Sequence, residues 1–291
     1  MLPPPPEPPW SRFIPEADWD LYRRVIAEAR ARNLPFAVGG GFAFSHYARR
    51  WRDTKDIDLY ILLRDRDVLV GVLQDLGFTD YFERQPYDRG WIYRAFRDGV
   101  IVDLIWASAN QHARTTDEQW FARAVPVTIR GMRLDIVPVE ELIFTKLYVV
   151  QRDRCDWPDL LNVLHEQARC LDWHHLLARV GDDARLLGGL LCVFGWMCAE
   201  QARAVPNWVS AQTGALPAGG GPPCLDQQAR VRLLDTRQWF GPSLPSDTEV
   251  RRYGTPPDQE VGRYGGTAPG GNTSEDTSNV DEETQNVDEE T

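Results

Sequence analysis

Apolar residues recur in two rhythms along this chain. From Glu16 to Arg32 they fall at Leu21, Val25, Ile26 and Ala29, one stripe of a helix. The rhythm then shortens. Leu34 to Val38 reads as a short strand, and Phe42 to Ala48, beyond a run of three glycines, as a helix. Asp56 to Leu63 is a strand rich in aliphatic and aromatic residues, as a buried sheet requires. Arg64 to Leu76 predicts a helix closed by Gly77 as its C-cap. Trp91 to Phe96 and Val100 to Trp106 predict two strands joined at Asp98-Gly99, a strong hairpin signal. Thr115 to Arg123 reads as a short helix, and Val125 to Ile129 and Arg133 to Val137 form a second hairpin around Gly131.

Pro138 then opens a helix through Val150, with Glu140 and Glu141 in the first turn, where the dipole favours anions. Three further helices follow at Asp156 to Gln167, Asp172 to Val180 and Asp182 to Ala204, with Asp172 and Asp182 as N-caps. The order predicts an α+β fold: a mixed sheet first, a helical region after it. Residues 1–15 read as a proline-rich leader, extended and exposed through Pro9. Residues 16–150 read as the core and 151–210 as a helical C-terminal domain. Residues 211–291 read as linker and disordered acidic tail, with Ala218 to Pro223 linker-like and too little apolar content from about Gly241 to fold. The tail ends in a tandem repeat, Asn279 to Thr284 and Asn286 to Thr291.

Charge changes this picture little. The formal net charge is −11, but the last twenty residues hold eight acidic groups and no basic one, so the rest of the chain carries only −3. That is not the composition of a basic nucleic-acid binder. The five cysteines form no C-x-x-C pair, which favours reduced thiols in a cytoplasmic protein over a zinc knuckle or a disulfide framework. The N-terminus lacks the features of a signal peptide. The longest apolar run, Leu186 to Ala199, is shorter than the roughly 20 residues of a membrane span. It reads as a buried helix, and no membrane association is expected.

The chemistry concentrates between Gly39 and Asp58. Side chains alternate along a strand, so Asp56 and Asp58 share one face while Ile57 and Leu59 take the other. Two carboxylates at that spacing repel, and core packing does not call for them. A divalent cation shared with substrate phosphates relieves the repulsion. Gly39, Gly40 and Gly41 stand at a strand-to-helix turn. There they let a phosphate approach the backbone N–H groups and the positive end of the helix dipole. A glycine run alone is more often just a tight turn; the Asp-x-Asp downstream strengthens the phosphate reading.

The pattern Gly-Gly, then Arg52-x-Thr54-Lys55-Asp56-Ile57-Asp58, resembles the nucleotidyltransferase superfamily with its polymerase-beta-like fold. The likeness continues through Val102 to Ile105, Pro138 to Lys146 and Arg152 to Asp159, about residues 20 to 210 in all. This longer pattern resembles an uncharacterised bacterial group described only as nucleotidyltransferase family proteins. The resemblance implies a mixed-sheet nucleotidyltransferase core and a third metal carboxylate, Asp103, from a strand beside the Asp-x-Asp strand. An Asp in so apolar a strand otherwise needs some other partner or a solvent edge.

The resemblance further implies a nucleoside triphosphate substrate and two magnesium (or manganese) ions held by Asp56, Asp58 and Asp103. One ion would lower the pKa of an acceptor hydroxyl and the other would stabilise leaving pyrophosphate. Asp103 would also be a candidate general base, and the glycines would cradle the β- and γ-phosphates. Many members carry Gly-Ser at this turn; here only backbone N–H groups are offered. The acceptor is open among a protein side chain, an RNA end and a small hydroxyl compound, toxin-like modification of RNA or protein included. The rival from another class is a catalytically inactive member that kept the fold as a binding partner.

The remaining charged residues divide between substrate and scaffold. Arg52 is placed to fork onto a phosphate. Lys55 alternates with Asp56 and points away. Arg49 and Arg50 read as solvated helix-end cations. Lys146 needs a counter-charge within an apolar helix, with a triphosphate oxygen and an ion pair to Asp156 or Asp159 as equal candidates. Arg152, Asp156 and Asp159 read as an ion-pair network between domains rather than as nucleotide contacts. His46 reads as packing, and His174-His175 has no cysteine partners for zinc.

Overall fold

The computed structural model describes residues 7–52, 54–108, 116–152, 154–216 and 227–234. The acidic repeats, the Ala218 to Pro223 linker, Thr115 and the first six residues of the leader lie outside these. Helix α1 (Glu16–Ala31) buries Trp19, Tyr22, Val25, Ile26 and Ala29. It leads into β1 (Phe36–Val38), α2 (Gly40–Tyr47) and β2 (Asp56–Ile61). After α3 (Arg66–Asp75) come the short β3 (Thr79–Asp80), β4 (Ile92–Arg97) and β5 (Val100–Ile105). Then follow α4 (Glu118–Ala122), β6 (Val125–Ile129), β7 (Met132–Ile136) and α5 (Val139–Leu147).

The seven strands form one sheet in the order β3-β4-β5-β2-β1-β7-β6. It is mixed, because β2–β5 and β1–β7 pair parallel while the other neighbours pair antiparallel. Both hairpin turns carry two residues with positive φ: Asp98 (50°) and Gly99 (87°), and Arg130 (47°) and Gly131 (75°). That geometry matches the right-handed twist of the strands it joins and fixes their register. Gly77 (φ 81°) ends α3, its N–H donating to the Gln74 carbonyl and that of Phe78 to Leu73.

The helical region comprises α6 (Trp157–Gln167), α7 (Trp173–Val180), α8 (Ala184–Met197), α9 (Ala199–Ala202), α10 (Asn207–Thr213) and α11 (Gln227–Leu234). Helix α6 packs on α2 and α5, and α7 on α5. One hydrophobic cluster runs from the sheet into these helices. It includes Trp10 and Ile14 from the leader, Trp10 stacking on Trp51 and edge-on to Phe42. Glu140 and Glu141 are buried rather than solvated. Glu140 accepts the Asp172 N–H at 2.8 Å, and Glu141 accepts from Arg179 Nε at 2.8 Å and bonds His175 Nε2 at 2.8 Å. Thus α5 is tied to α7 by charge as well as by packing.

Several boundaries differ from the sequence reading. Helix α5 stops at Leu147 because the chain turns back: Val150 bridges Cys155, and Asp156 N–H donates to the Val149 carbonyl. The apolar run ends at Met197, where Cys198 leaves helical geometry (φ −128°, ψ 55°). Asp182 is not an N-cap; it lies in a 3₁₀ turn (Gly181–Asp183) before α8. Asp172 does cap α7, accepting the His175 N–H at 3.0 Å. Gly188 brings α8 close to α10, since a Cβ there would sit 2.2 Å from the Thr213 carbonyl oxygen. No helix among the described residues is long and apolar enough to cross a membrane.

Candidate active site

Strand alternation and sheet register together build the carboxylate cluster. Asp56 and Asp58 share a face of β2, and parallel pairing sets Asp58 directly beside Asp103 on β5. Ligand oxygens of Asp56, Asp58 and Asp103 lie within 4.8 Å of one another. Thr54 Oγ1 donates to Asp56 Oδ1 at 2.7 Å and orients that carboxylate.

The three glycines are dictated by what packs against them. Gly39 N–H donates to the Asp58 carbonyl at 2.9 Å, and a Cβ at Gly39 would lie 2.2 Å from the Tyr60 ring. Gly40 has φ 50°, and its Cβ would lie 1.5 Å from Asp58 Oδ2. At Gly41 the same atom would meet Thr54 at 2.8 Å. Asp58 therefore sits against the bare start of α2, where backbone N–H groups and the helix dipole favour anions.

Asp58 and Asp103 both resist ionisation. Burial raises Asp58 well above the usual carboxylate range, and repulsion from Asp56 and Asp103 raises it further. Burial pushes Asp103 up to about 6, against the pull of Arg94. A carboxyl whose folded pKa is raised stabilises the fold at low pH and loses that contribution as pH rises through the folded value. The fold is therefore under charge strain above about pH 6, where ionised carboxylates could hold a divalent cation. If the cluster takes a divalent cation, the rise in Tm that magnesium produces is expected to grow between about pH 5 and pH 8. Scanning Tm with and without magnesium across that range checks this; an increment that shrinks with pH contradicts it.

Cations ring the cluster, and their partners separate the roles. Arg94 donates to Asp103 through Nε at 2.8 Å and NH2 at 2.5 Å, and its NH2 lies 3.6 Å from Asp56. Lys146 is buried and bonds both Asp156 (2.7 Å) and Asp159 (2.8 Å), the ion-pair arrangement weighed from sequence. Burial alone would raise Asp156, yet Lys146 and Arg154 hold it below the usual range. Arg52, half-exposed, pairs with Asp159 and lies over the Phe44 ring. Arg154 reaches Asp156 at 3.2 Å although its side chain is largely exposed, and Arg152 is exposed as well. Arg52, Arg94, Lys146 and Arg154 all line the cleft that holds the three carboxylates.

Lys146→Met would leave Asp156 and Asp159 without their shared buried cation. The expected loss is about 3–5 kcal/mol of stability, read by urea unfolding. A loss below about 1 kcal/mol would show the network to be dispensable.

Sequence reasoning overlooked Arg94 and Arg154. Arg94 had a usable signal: counting back from the two-residue turn at Asp98-Gly99 pairs it with Asp103. Arg154 had none, since the turn that folds it back begins only where α5 stops early.

A family model described as uncharacterised nucleotidyltransferase matches residues 19–182, more than half of the chain. No curated protein matches. Three solved structures illustrate the likenesses found. The antibiotic-resistance factor ANT(2'')-Ia in solution is 23% identical at TM-score 0.35, over 44% of this chain and 69% of that one. The lincomycin-bound lincosamide antibiotic adenylyltransferase LnuA is 11% identical at TM-score 0.37, over 50% and 94%. A putative nucleotidyltransferase from H. pylori is 16% identical at TM-score 0.34, over 69% and 96%. Similarity this low says nothing about substrate.

Proposed function

We propose that this chain, which belongs to the family of uncharacterised nucleotidyltransferases, transfers a nucleoside monophosphate from a nucleoside triphosphate to a hydroxyl acceptor. One observation carries the reading. Asp56, Asp58 and Asp103 converge within 4.8 Å beside a helix N-terminus stripped of side chains. An all-oxygen donor set under mutual repulsion fits a hard divalent cation, magnesium or manganese, held by these three residues. Such a cation, when bound, supplies charge neutralisation at the leaving pyrophosphate and lowers the pKa of a coordinated hydroxyl.

The chain's own groups do the rest. The N–H groups at the start of α2 receive phosphate oxygens, and glycine at 40 and 41 lets the Asp58 carboxylate and Thr54 stand close against that backbone. Arg52 lines the cleft and is exposed enough to exchange Asp159 for a phosphate fork. Lys146, committed to Asp156 and Asp159, adds positive potential near Asp58 and fixes α5 against α6.

Label transfer tests the assignment. Purified protein, magnesium and each of the four ribonucleoside triphosphates are incubated with cell lysate, using α- or γ-labelled nucleotide. The reading expects α-label on a protein, RNA or small-molecule acceptor, with pyrophosphate released. Transfer of γ-label would make it a phosphotransferase. Neither label with any triphosphate would favour an inactive binding protein.

A further inference from the structure

We propose that Arg94 occupies the place of a second cation, so that the site takes one divalent ion per chain, not the two that the superfamily resemblance implies. The inference rests on the nucleotidyltransferase reading and narrows it. Arg94, Asp103 and Asp58 form one row across three strands: Arg94 pairs with Asp103 in the β4–β5 register, and Asp103 with Asp58 in the β5–β2 register. The guanidinium therefore projects onto the carboxylate face, as strand alternation requires. It takes both oxygens of Asp103, through Nε at 2.8 Å and NH2 at 2.5 Å, and approaches Asp56 at 3.6 Å. Asp103 is 1% exposed, so Arg94 is its principal source of counter-charge.

The surroundings hold Arg94 in this pose. Its backbone N–H donates to the Tyr87 hydroxyl at 3.0 Å, and that hydroxyl donates to Asp80 at 3.0 Å. Its guanidinium carbon lies 6.0 Å from the centre of the Tyr81 ring. A bidentate guanidinium–carboxylate fork is among the strongest charge-assisted contacts a protein makes. With Asp103 engaged by Arg94, the donor set proposed above narrows from three carboxylates to two, and Asp56 and Asp58 share one ion with the triphosphate. Asp103 serves as the counter-ion of Arg94, whose fork engages both of its oxygens. Arg94 is thus a positioning residue that sets how many ions enter.

Counting bound Mn²⁺ by calorimetry and by electron paramagnetic resonance, with a non-hydrolysable triphosphate present, reads this without turnover. The expected stoichiometry is one for the natural chain, two for Arg94→Met, and one for Arg94→Lys, which keeps the charge. Two ions in all three proteins would overturn the inference and leave the functional reading intact. One ion in all three would also overturn it, because Arg94 would then not control the count. No ion in any of them would overturn both. Arg94→Lys guards against misfolding of Arg94→Met. As a further measure, the Arg94 Nε–H resonance should stay hydrogen-bonded when magnesium is added to the natural chain. Its release on metal addition would mean that the guanidinium gives way, contrary to the proposal.

Discussion

Asp58→Asn should abolish pyrophosphate release, by on the order of 10³-fold, while the chain stays folded. Asn has nearly the same shape as Asp, so the close contact with Gly40 survives, but the charge that meets a cation is gone. The same change should raise the Tm of the metal-free protein. Burial and its two neighbours hold Asp58 far above the usual carboxylate range, so an ionised Asp58 at neutral pH costs stability that a neutral amide does not. A gain of a few degrees, equivalent to about 1 kcal/mol, is expected by calorimetry. Gain of stability with loss of activity marks a functional charge. Unchanged release would remove Asp58 from the chemistry, and a lowered Tm would mean that its charge is structural.

Gly40→Ala should have the second largest effect and the opposite sign on stability. The new Cβ would sit 1.5 Å from Asp58 Oδ2, and φ of 50° is itself unfavourable for alanine. Either α2 shifts or the Asp58 carboxylate rotates away, and each outcome damages the end of the candidate site proposed to take phosphate. We expect about 2–4 kcal/mol of destabilisation and a loss of triphosphate affinity of at least about tenfold. Urea unfolding and nucleotide titration measure the two separately. An alanine variant with natural affinity would show that the turn is only a turn.

The site was partly legible because two of its rules are local. Alternation put Asp56 and Asp58 on one face, and the glycines preceding an apolar helix marked the turn. That Asp103 stands beside them depends on a parallel pairing between strands 45 residues apart, which no local pattern encodes; the resemblance supplied it. The same limit explains the buried Glu141, whose first-turn position suggested only a dipole effect. Its partners Arg179 and His175 lie on α7, and only tertiary packing brings them to it. The split of the last helices was hidden for another reason: Cys198 carries no helix-breaking chemistry, and the break follows from its backbone conformation alone. Lys146 shows the intermediate case. Its need for a counter-charge could be read from its apolar neighbours, but the choice of Asp156 and Asp159 required the turn after α5.

The most direct measurement is calorimetric titration of a non-hydrolysable nucleoside triphosphate into the purified chain, with magnesium and again with a chelator. The account predicts binding that depends on the divalent ion and disappears in Asp58→Asn. Binding of equal strength in the chelator, or no binding of any of the four triphosphates at millimolar concentration, would contradict it.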